Sequence, residues 1–279
     1  MAPVFLSQIK RLKVQVLIFG VLGRGGEFTI ASIEKNILKP LQEIADVTVS
    51  VINNIVDTID EVAVNDGTHH LTFDCDMFTL KQEEIDHKLQ EKKPGPWFRS
   101  NYTDQNSWNA LRQMYIEFVA GKHIADVDVV VAVTADAYHM TPISLPDVRA
   151  ASLGTFFTTP NNPGQGLTNG YYIGRPREMR LVMNRYDTFT KTDKDYEYVL
   201  LEAVKAHSVV NKTTKAVFVK VRANGKLSPP SFIWKQRQHN AALNEQYFQL
   251  LSMVTRQSDP TSGKSSTLGV QGREISRHA

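Results

Sequence analysis

The chain of 279 residues is 42% apolar, enough to bury one large core, and its 32 Lys and Arg against 29 Asp and Glu leave a net charge of +3, too small for a protein that grips nucleic acid by bulk electrostatics. A single cysteine, Cys75, excludes an internal disulfide and a cysteine-based metal cluster, and no apolar run is long enough to span a membrane. Residues 1–7 lack the basic stretch and long apolar run of a secretory signal, so the expectation is a soluble cytoplasmic protein built as one α/β domain with a tail.

Val14 to Phe19 is a continuous apolar run that ends in Gly20, Gly23, Arg24, Gly25 and Gly26 before a helical pattern through Ile30, Ile33, Ile37 and Leu41. A strand, a glycine loop and a helix start can bring backbone N–H groups and the Arg24 fork to a phosphate. The spacing is neither the dinucleotide fingerprint nor the Walker pattern, and tight turns with a solvated arginine explain the same residues. Asp46 to Asn53 alternates as a second strand, and Asp57 to Asp66 reads as a loop or a short irregular pairing. His69 to Met77 contains a literal Asp74-Cys75-Asp76, but its alternation puts Leu71, Phe73, Cys75 and Met77 on one face and Thr72, Asp74 and Asp76 on the other. Those aspartates are expected to be solvated. Gln82 to Lys92 is a charged surface helix stopped by Pro94, Gly95 and Pro96.

From Asp104, Trp108, Leu111, Tyr115, Phe118 and Val119 recur at helical spacing, with Asn109, Arg112 and Gln113 on or beside the polar flank. This helix feeds Val127 to Val133, so apolar and β-branched that it predicts a strand buried on both faces in a mostly parallel sheet. The strand stops at Thr134, Ala135 and Asp136. An acid just past the carboxyl end of a central strand lies where open α/β sheets bind ligands, and Asp136 suits a hard divalent cation carrying a diphosphate; a loop cap is the plainer use of the same residue. After Pro142 a long stretch of turn formers runs through Pro146, Phe156, Phe157 and Pro160 to Asn169 and Gly170. Tyr171 to Gly174 is a short strand, Pro176 opens a helix through Met179, Val182, Met183 and Tyr186, and Thr192 to Asp195 is a capping-box-like start to a helix through Val199, Leu200, Ala203 and Val204. Ala216 to Arg222 alternates Val217, Val219 and Val221 against Phe218, Lys220 and Arg222; with Asn224-Gly225 as a tight turn, Lys220, Arg222 and Lys226 either converge on an anion or form the cationic outer face of an edge strand. Gln236 to Arg256 is a final amphipathic helix, and Ser258 to Ala279 is polar and expected to be disordered.

Six short pieces occur in order: Gly20 to Arg24, Asn109 to Tyr115, the apolar strand into Asp136, Asn169 to Gly174, Asp195-Tyr196-Glu197, and Val221 to Gly225. In that order the chain resembles, over about residues 14–226, the GT-A type glycosyltransferases encoded by large DNA viruses of algae. The resemblance implies a single GT-A-like, Rossmann-like catalytic domain over 1–235, a helix at 236–256 packed on it, and a flexible tail at 257–279. It implies a nucleotide-sugar donor such as UDP-xylose, a glycan or glycoprotein acceptor, the host cytoplasm as location, and Mn²⁺ or Mg²⁺ bridging the diphosphate to Asp136. Gly20, Gly23, Arg24, Arg112, Ala135 and Asp136, with Lys220 and Arg222, would contact the donor.

The chain departs from that pattern at Thr134, where a first acid or an arginine would precede the metal aspartate, and at Asn169, which with Tyr171 would bind the acceptor but cannot take its proton. Glu197 is then the expected base, with Asp195 second, and the reaction would invert the anomeric centre. The departures leave open a non-catalytic nucleotide-sugar or glycan-binding protein, and a nucleotide-binding scaffold acting through its tail.

Overall fold

The computed structural model describes residues 11–91, 104–159, 166–191, 196–228 and 240–257. In chain order, β1 (Leu12–Gly20) leads into α1 (Leu22–Ile33), a π-helical turn (Glu34–Leu38) and α2 (Lys39–Ile44). Then come β2 (Ala45–Ile55), a small hairpin of β3 (Thr58–Ile59) and β4 (Val62–Ala63), β5 (Asp76–Lys81), α3 (Gln82–Gln90) and α4 (Asp104–Lys122). Next are β6 (Val129–Thr134), β7 (Ala137–His139), α5 (Leu145–Ser152), β8 (Thr155–Thr158), β9 (Tyr171–Gly174), α6 (Pro176–Met183), α7 (Tyr186–Phe189) and α8 (Tyr196–Ala206). The described chain ends with β10 (Val210–Thr213), β11 (Phe218–Val221), β12 (Leu227–Ser228) and α9 (Ala241–Gln257).

The main sheet has seven strands in the order β10-β8-β9-β6-β1-β2-β5. β1 pairs in parallel with both β2 and β6, β2 with β5, and β8 with β10, while β9 runs antiparallel between β6 and β8. This is the α/β class with a mostly parallel sheet. β1 and β6 are buried on both faces because helices cover both. Val14, Val16, Ile18, Val129, Val131 and Val133 pack with Ile30, Ile33, Leu41 and Val148 on one side. Leu17, Phe19, Val130 and Ala132 pack with Leu111, Met114, Met179, Val182, Leu200 and Val204 on the other. The aspartates at 74 and 76 are exposed while Leu71, Phe73 and Cys75 face the core, as their alternation requires; Met77, expected on the same face, is exposed, because the strand itself begins only at Asp76 and lies at the sheet edge.

The stretch after Pro142 departs from expectation. Ser144 caps α5, its Oγ accepting from Asp147 N at 3.4 Å, and Pro146 lies in the first turn, where a missing N–H costs nothing. Phe156 and Phe157 then form β8 inside the sheet rather than a loop. β11 joins β7 and β12 in a second sheet. Val217, just before β11, and Val219 and Val221 within it face α9 through Leu243, Tyr247, Leu250 and Val254, so the expected terminal helix is present and docked by the alternation of one short stretch. Residues 258–279, the break at 94–96 and the start at 192–195 lie outside the described residues. Among the described residues no helix is long and apolar enough to cross a membrane.

Candidate functional site

Asp136 sits in the turn between β6 and β7, fixed on both sides by backbone. Ala135 N donates to Phe19 O at 2.9 Å, which ties the turn to the end of β1, and Val221 N donates to Asp136 O at 2.8 Å, which ties it to β11. Asp136 is 7% exposed, and its carboxylate accepts from Arg24 Nη1 at 3.2 Å. Arg24 spends its other edge on Asp60, with Nε to Oδ2 at 2.8 Å and Nη2 to Oδ1 at 2.7 Å. Asp60 tops the β3–β4 hairpin, whose two central residues both lie in the left-handed region, with φ of 53° at Asp60 and 66° at Glu61. A two-residue turn of that kind matches strand twist but favours glycine or asparagine, so this hairpin carries backbone strain. Docking holds it: Ala223 N donates to Asp60 Oδ2 at 3.1 Å and Asn224 Nδ2 to Asp60 O at 3.3 Å.

Around these groups a cavity of about 430 Å³ opens at the carboxyl ends of β1, β2 and β6. Its wall includes Gly20, Val21, Arg24, Asn54, Asp60, Asn109, Arg112, Gln113, Thr134, Asp136, Tyr196, Lys220 and Arg222. Burial by itself would raise the carboxyl pKa of Asp136, but the positive charges of Lys220, Arg24 and Arg222 hold it below the usual carboxylate value. Burial opposes Asp60 in the same way, and its two bonds from Arg24 win, holding it low. Burial likewise works against the Arg24 cation, and Asp60 and Asp136 raise it above its ordinary value. All three groups are therefore charged at neutral pH. Asn54 is part of the wall, and its Oδ1 is buried with no hydrogen-bond partner among the described residues.

The expected donor-contacting residues divide. Gly20, Arg24, Arg112, Asp136, Lys220 and Arg222 share the cavity, whereas Gly23 and Ala135 do not line it. A Cβ at Gly23 would lie 2.1 Å from Asn65 O, so this glycine admits the 65–67 loop rather than a phosphate. Arg112 reaches the wall already forked onto Asp86, with Nε to Oδ1 and Nη2 to Oδ2 both at 2.7 Å. Lys226 is exposed and does not line the cavity.

The acceptor pair lies elsewhere. Gly170 turns the chain with φ of 92°, folding Asn169 inward, where its Oδ1 accepts from Arg185 Nη2 at 2.9 Å and from the Tyr172 hydroxyl. Tyr171 is fully buried on the opposite face of the sheet, its ring centroid 5.7 Å from that of His139 and 6.2 Å from that of Phe218. Neither side chain is presented to the cavity. Glu197 is in the first turn of α8, its carbonyl accepting from Leu167 N at 3.1 Å, and its neighbour Tyr196 is the one on the wall. Asp195 lies outside the described residues.

Two features were not anticipated from sequence. Asp60 is one, and the alternation of Thr58-Ile59 and Val62-Ala63 around two polar residues was the signal that a hairpin tip stood there. The other is a buried ion pair behind the cavity, Arg185 Nη2 to Glu117 Oε2 at 2.7 Å, with both side chains at 0% exposure. Gln113, on the cavity wall, donates to Glu117 Oε1 at 3.2 Å and so connects that pair to the site. An arginine among the apolar helical positions Val182, Met183, Tyr186 and Phe189 was its trace.

The residues around Asp136 do not fit the divalent metal ion expected there. A hard cation takes roughly six oxygen ligands. No group of three or more His, Cys, Asp or Glu that could hold a metal occurs among the described residues. Asp136 Oδ2 is already bonded to Arg24, and Lys220 and Arg222 add their charges against the same carboxylate. The nearest second acid, Asp60, has both oxygens on Arg24.

No protein-family model matches the chain, and no curated protein sequence does. Among solved structures, it is similar to mouse xyloside xylosyltransferase 1 in its apo form, with a TM-score of 0.39 and 10% identity over 72% of this chain and 84% of that one. It is also similar to the galactosyltransferase LgtC in complex with donor and acceptor sugar analogs, with a TM-score of 0.38 and 11% identity over 71% of this chain and 72% of that one. An active-site mutant of LgtC aligns with a TM-score of 0.38 and 12% identity over 68% of this chain and 69% of that one.

Proposed function

We infer that the cavity binds a nucleotide-diphosphate sugar and that the protein moves the sugar to a glycan hydroxyl. The observation that carries this reading is the gathering of Arg24, Lys220 and Arg222 around Asp136 at the carboxyl ends of parallel strands, where open α/β sheets bind ligands. Departure of a nucleoside diphosphate leaves negative charge, and fixed cations in a partly buried cavity stabilise it as it develops. The unpartnered Asn54 Oδ1 in the same wall suits a ribose hydroxyl or a base N–H. Deprotonation of the acceptor is assigned to Glu197, one residue beyond Tyr196 on the wall, and an attack in line with the leaving group inverts the anomeric carbon. UDP-xylose is the first donor to test, on the resemblance of the six ordered motifs. Incubating the full chain with a panel of nucleotide sugars and following nucleoside diphosphate release, with and without glycan acceptors, tests the reading. Absence of release and transfer across the panel removes it.

A second reading is a nucleotide-sugar-binding protein without chemistry. It is favoured by the state of the wall carboxylates: Asp60 and Asp136 are both held by Arg24, and neither is free to take a proton. Saturable donor binding with no turnover selects it.

A further inference from the structure

We propose that this site grips a diphosphate with side-chain cations, Lys220 and Arg222 supported by Arg24, in the position where a divalent metal ion would otherwise stand. The attachment of that diphosphate to a sugar nucleotide rests on the reading above; the grip does not.

The cations differ in what they have left to give. Arg24 donates from three nitrogens to Asp60 and Asp136, so it is spent largely within the protein. The Lys220 ammonium makes no side-chain hydrogen bond and no ion pair within 4 Å among the described residues, although its charge acts on Asp136, and the Arg222 guanidinium gives only its Nε to Ser228 Oγ, at 3.4 Å. Both line the cavity. Lys220 lies in β11 and Arg222 one residue past its end, and both side chains reach the same cavity; two residues of extended chain span about 7 Å, a distance that two long cations close onto adjacent phosphate groups.

The backbone sets where they point. Lys220 pairs with Ala137 across the β7–β11 ladder, and Val221 N is bonded to Asp136 O at 2.8 Å. The end of β11 is thus locked against the turn that carries Asp136. In this arrangement Asp136 is a buried counter-charge: it anchors Arg24 and lowers the mutual repulsion of three cations. An added dication on Asp136 would share the carboxylate with Arg24 and stand beside the charges of Lys220 and Arg222. An incoming diphosphate meets attraction from the same groups.

Calorimetric titration of the full chain with inorganic pyrophosphate and with UDP, in EDTA and again with Mn²⁺, tests this directly. Both ligands are expected to bind in EDTA, and Mn²⁺ is expected to change neither affinity by more than about twofold. Lys220→Met and Arg222→Met, each checked for an unchanged melting temperature, are expected to weaken pyrophosphate about tenfold or more, the worth of one charge-assisted contact. Pyrophosphate binding that requires Mn²⁺, or that survives undiminished in both variants, overturns the proposal even if sugar transfer is observed. Metal-free pyrophosphate binding lost in the variants upholds it even if no nucleotide sugar is ever turned over, and in that case the transfer reading alone fails.

Discussion

Arg24 is bonded on one edge to Asp136, at 3.2 Å, and on the other to Asp60, at 2.7 and 2.8 Å, so a single guanidinium joins the end of β6 to the tip of the β3–β4 hairpin. The partners are 112 and 36 residues from it in the chain. With Ala223 N also on Asp60, the hairpin, the first turn of α1 and the loop after β11 form one charged clasp at the cavity.

Removing the inner carboxylate should therefore separate function from fold. Asp136→Ala leaves Arg24 its two bonds to Asp60, so stability is expected to fall by only about 1–3 kcal/mol, while three cations lose their counter-charge and transfer is lost. Urea titration gives the first quantity and nucleoside diphosphate release the second. Wild-type turnover in this variant takes Asp136 out of the site.

The same carboxylates make a pH prediction. Asp60 and Asp136 have folded-state pKa values below the ordinary aspartate value of 3.8, despite burial and because of the facing cations. Groups depressed on folding contribute stability that is complete above the unfolded value and disappears as pH falls through the folded value. Unfolding free energy should thus be level near neutrality and decline below about pH 4. In Asp136→Asn the decline should be shallower, because one linked proton is gone. Denaturant midpoints measured from pH 7 to pH 3 compare the slopes.

Gly23→Ala distinguishes a packing glycine from a phosphate cradle. The new Cβ would meet Asn65 O at 2.1 Å, a backbone atom that cannot swing aside. A loss of about 1–3 kcal/mol is expected without any ligand present. If thermal unfolding is unchanged and only donor affinity falls, the glycine belongs to the binding loop after all.

Behind the cavity, Arg185→Met strands Glu117 as a buried charge, and a loss of about 3–5 kcal/mol is expected. Pairing it with Glu117→Gln should recover part of that loss, because the uncompensated charge is removed. A double-mutant cycle by urea unfolding measures the recovery, and additive losses would show the two residues to be independent.

Glu197→Gln keeps size and hydrogen bonding but removes the basic oxygen. Donor affinity is expected to persist while the transfer rate constant falls by a hundredfold or so, the usual scale of general-base catalysis. Equal rate constants for variant and parent rule Glu197 out as the base.

Much of this architecture was legible before any coordinates. The valines of 129–133 and the apolar run at 14–19 admit no other role than strands covered on both faces, although the expected start at Val127 lies two residues before β6, and the alternation of 216–222 separates the valines that meet α9 from Lys220 and Arg222 at the cavity. Such patterns are legible because burial acts on each residue through its immediate periodicity. Pro146 misled because proline is punctuation in a loop and equally at home in a helix's first turn; the choice depended on the Ser144 cap and on the pairing of β8 with β9 and β10. The identity of Arg24's second partner, the inward turn of Asn169 onto Arg185, and the gathering of Lys220 and Arg222 with Arg24 around Asp136 were decided by tertiary structure alone. Charges and polar groups choose partners by distance in space, and those distances exist only once distant strands have been brought side by side.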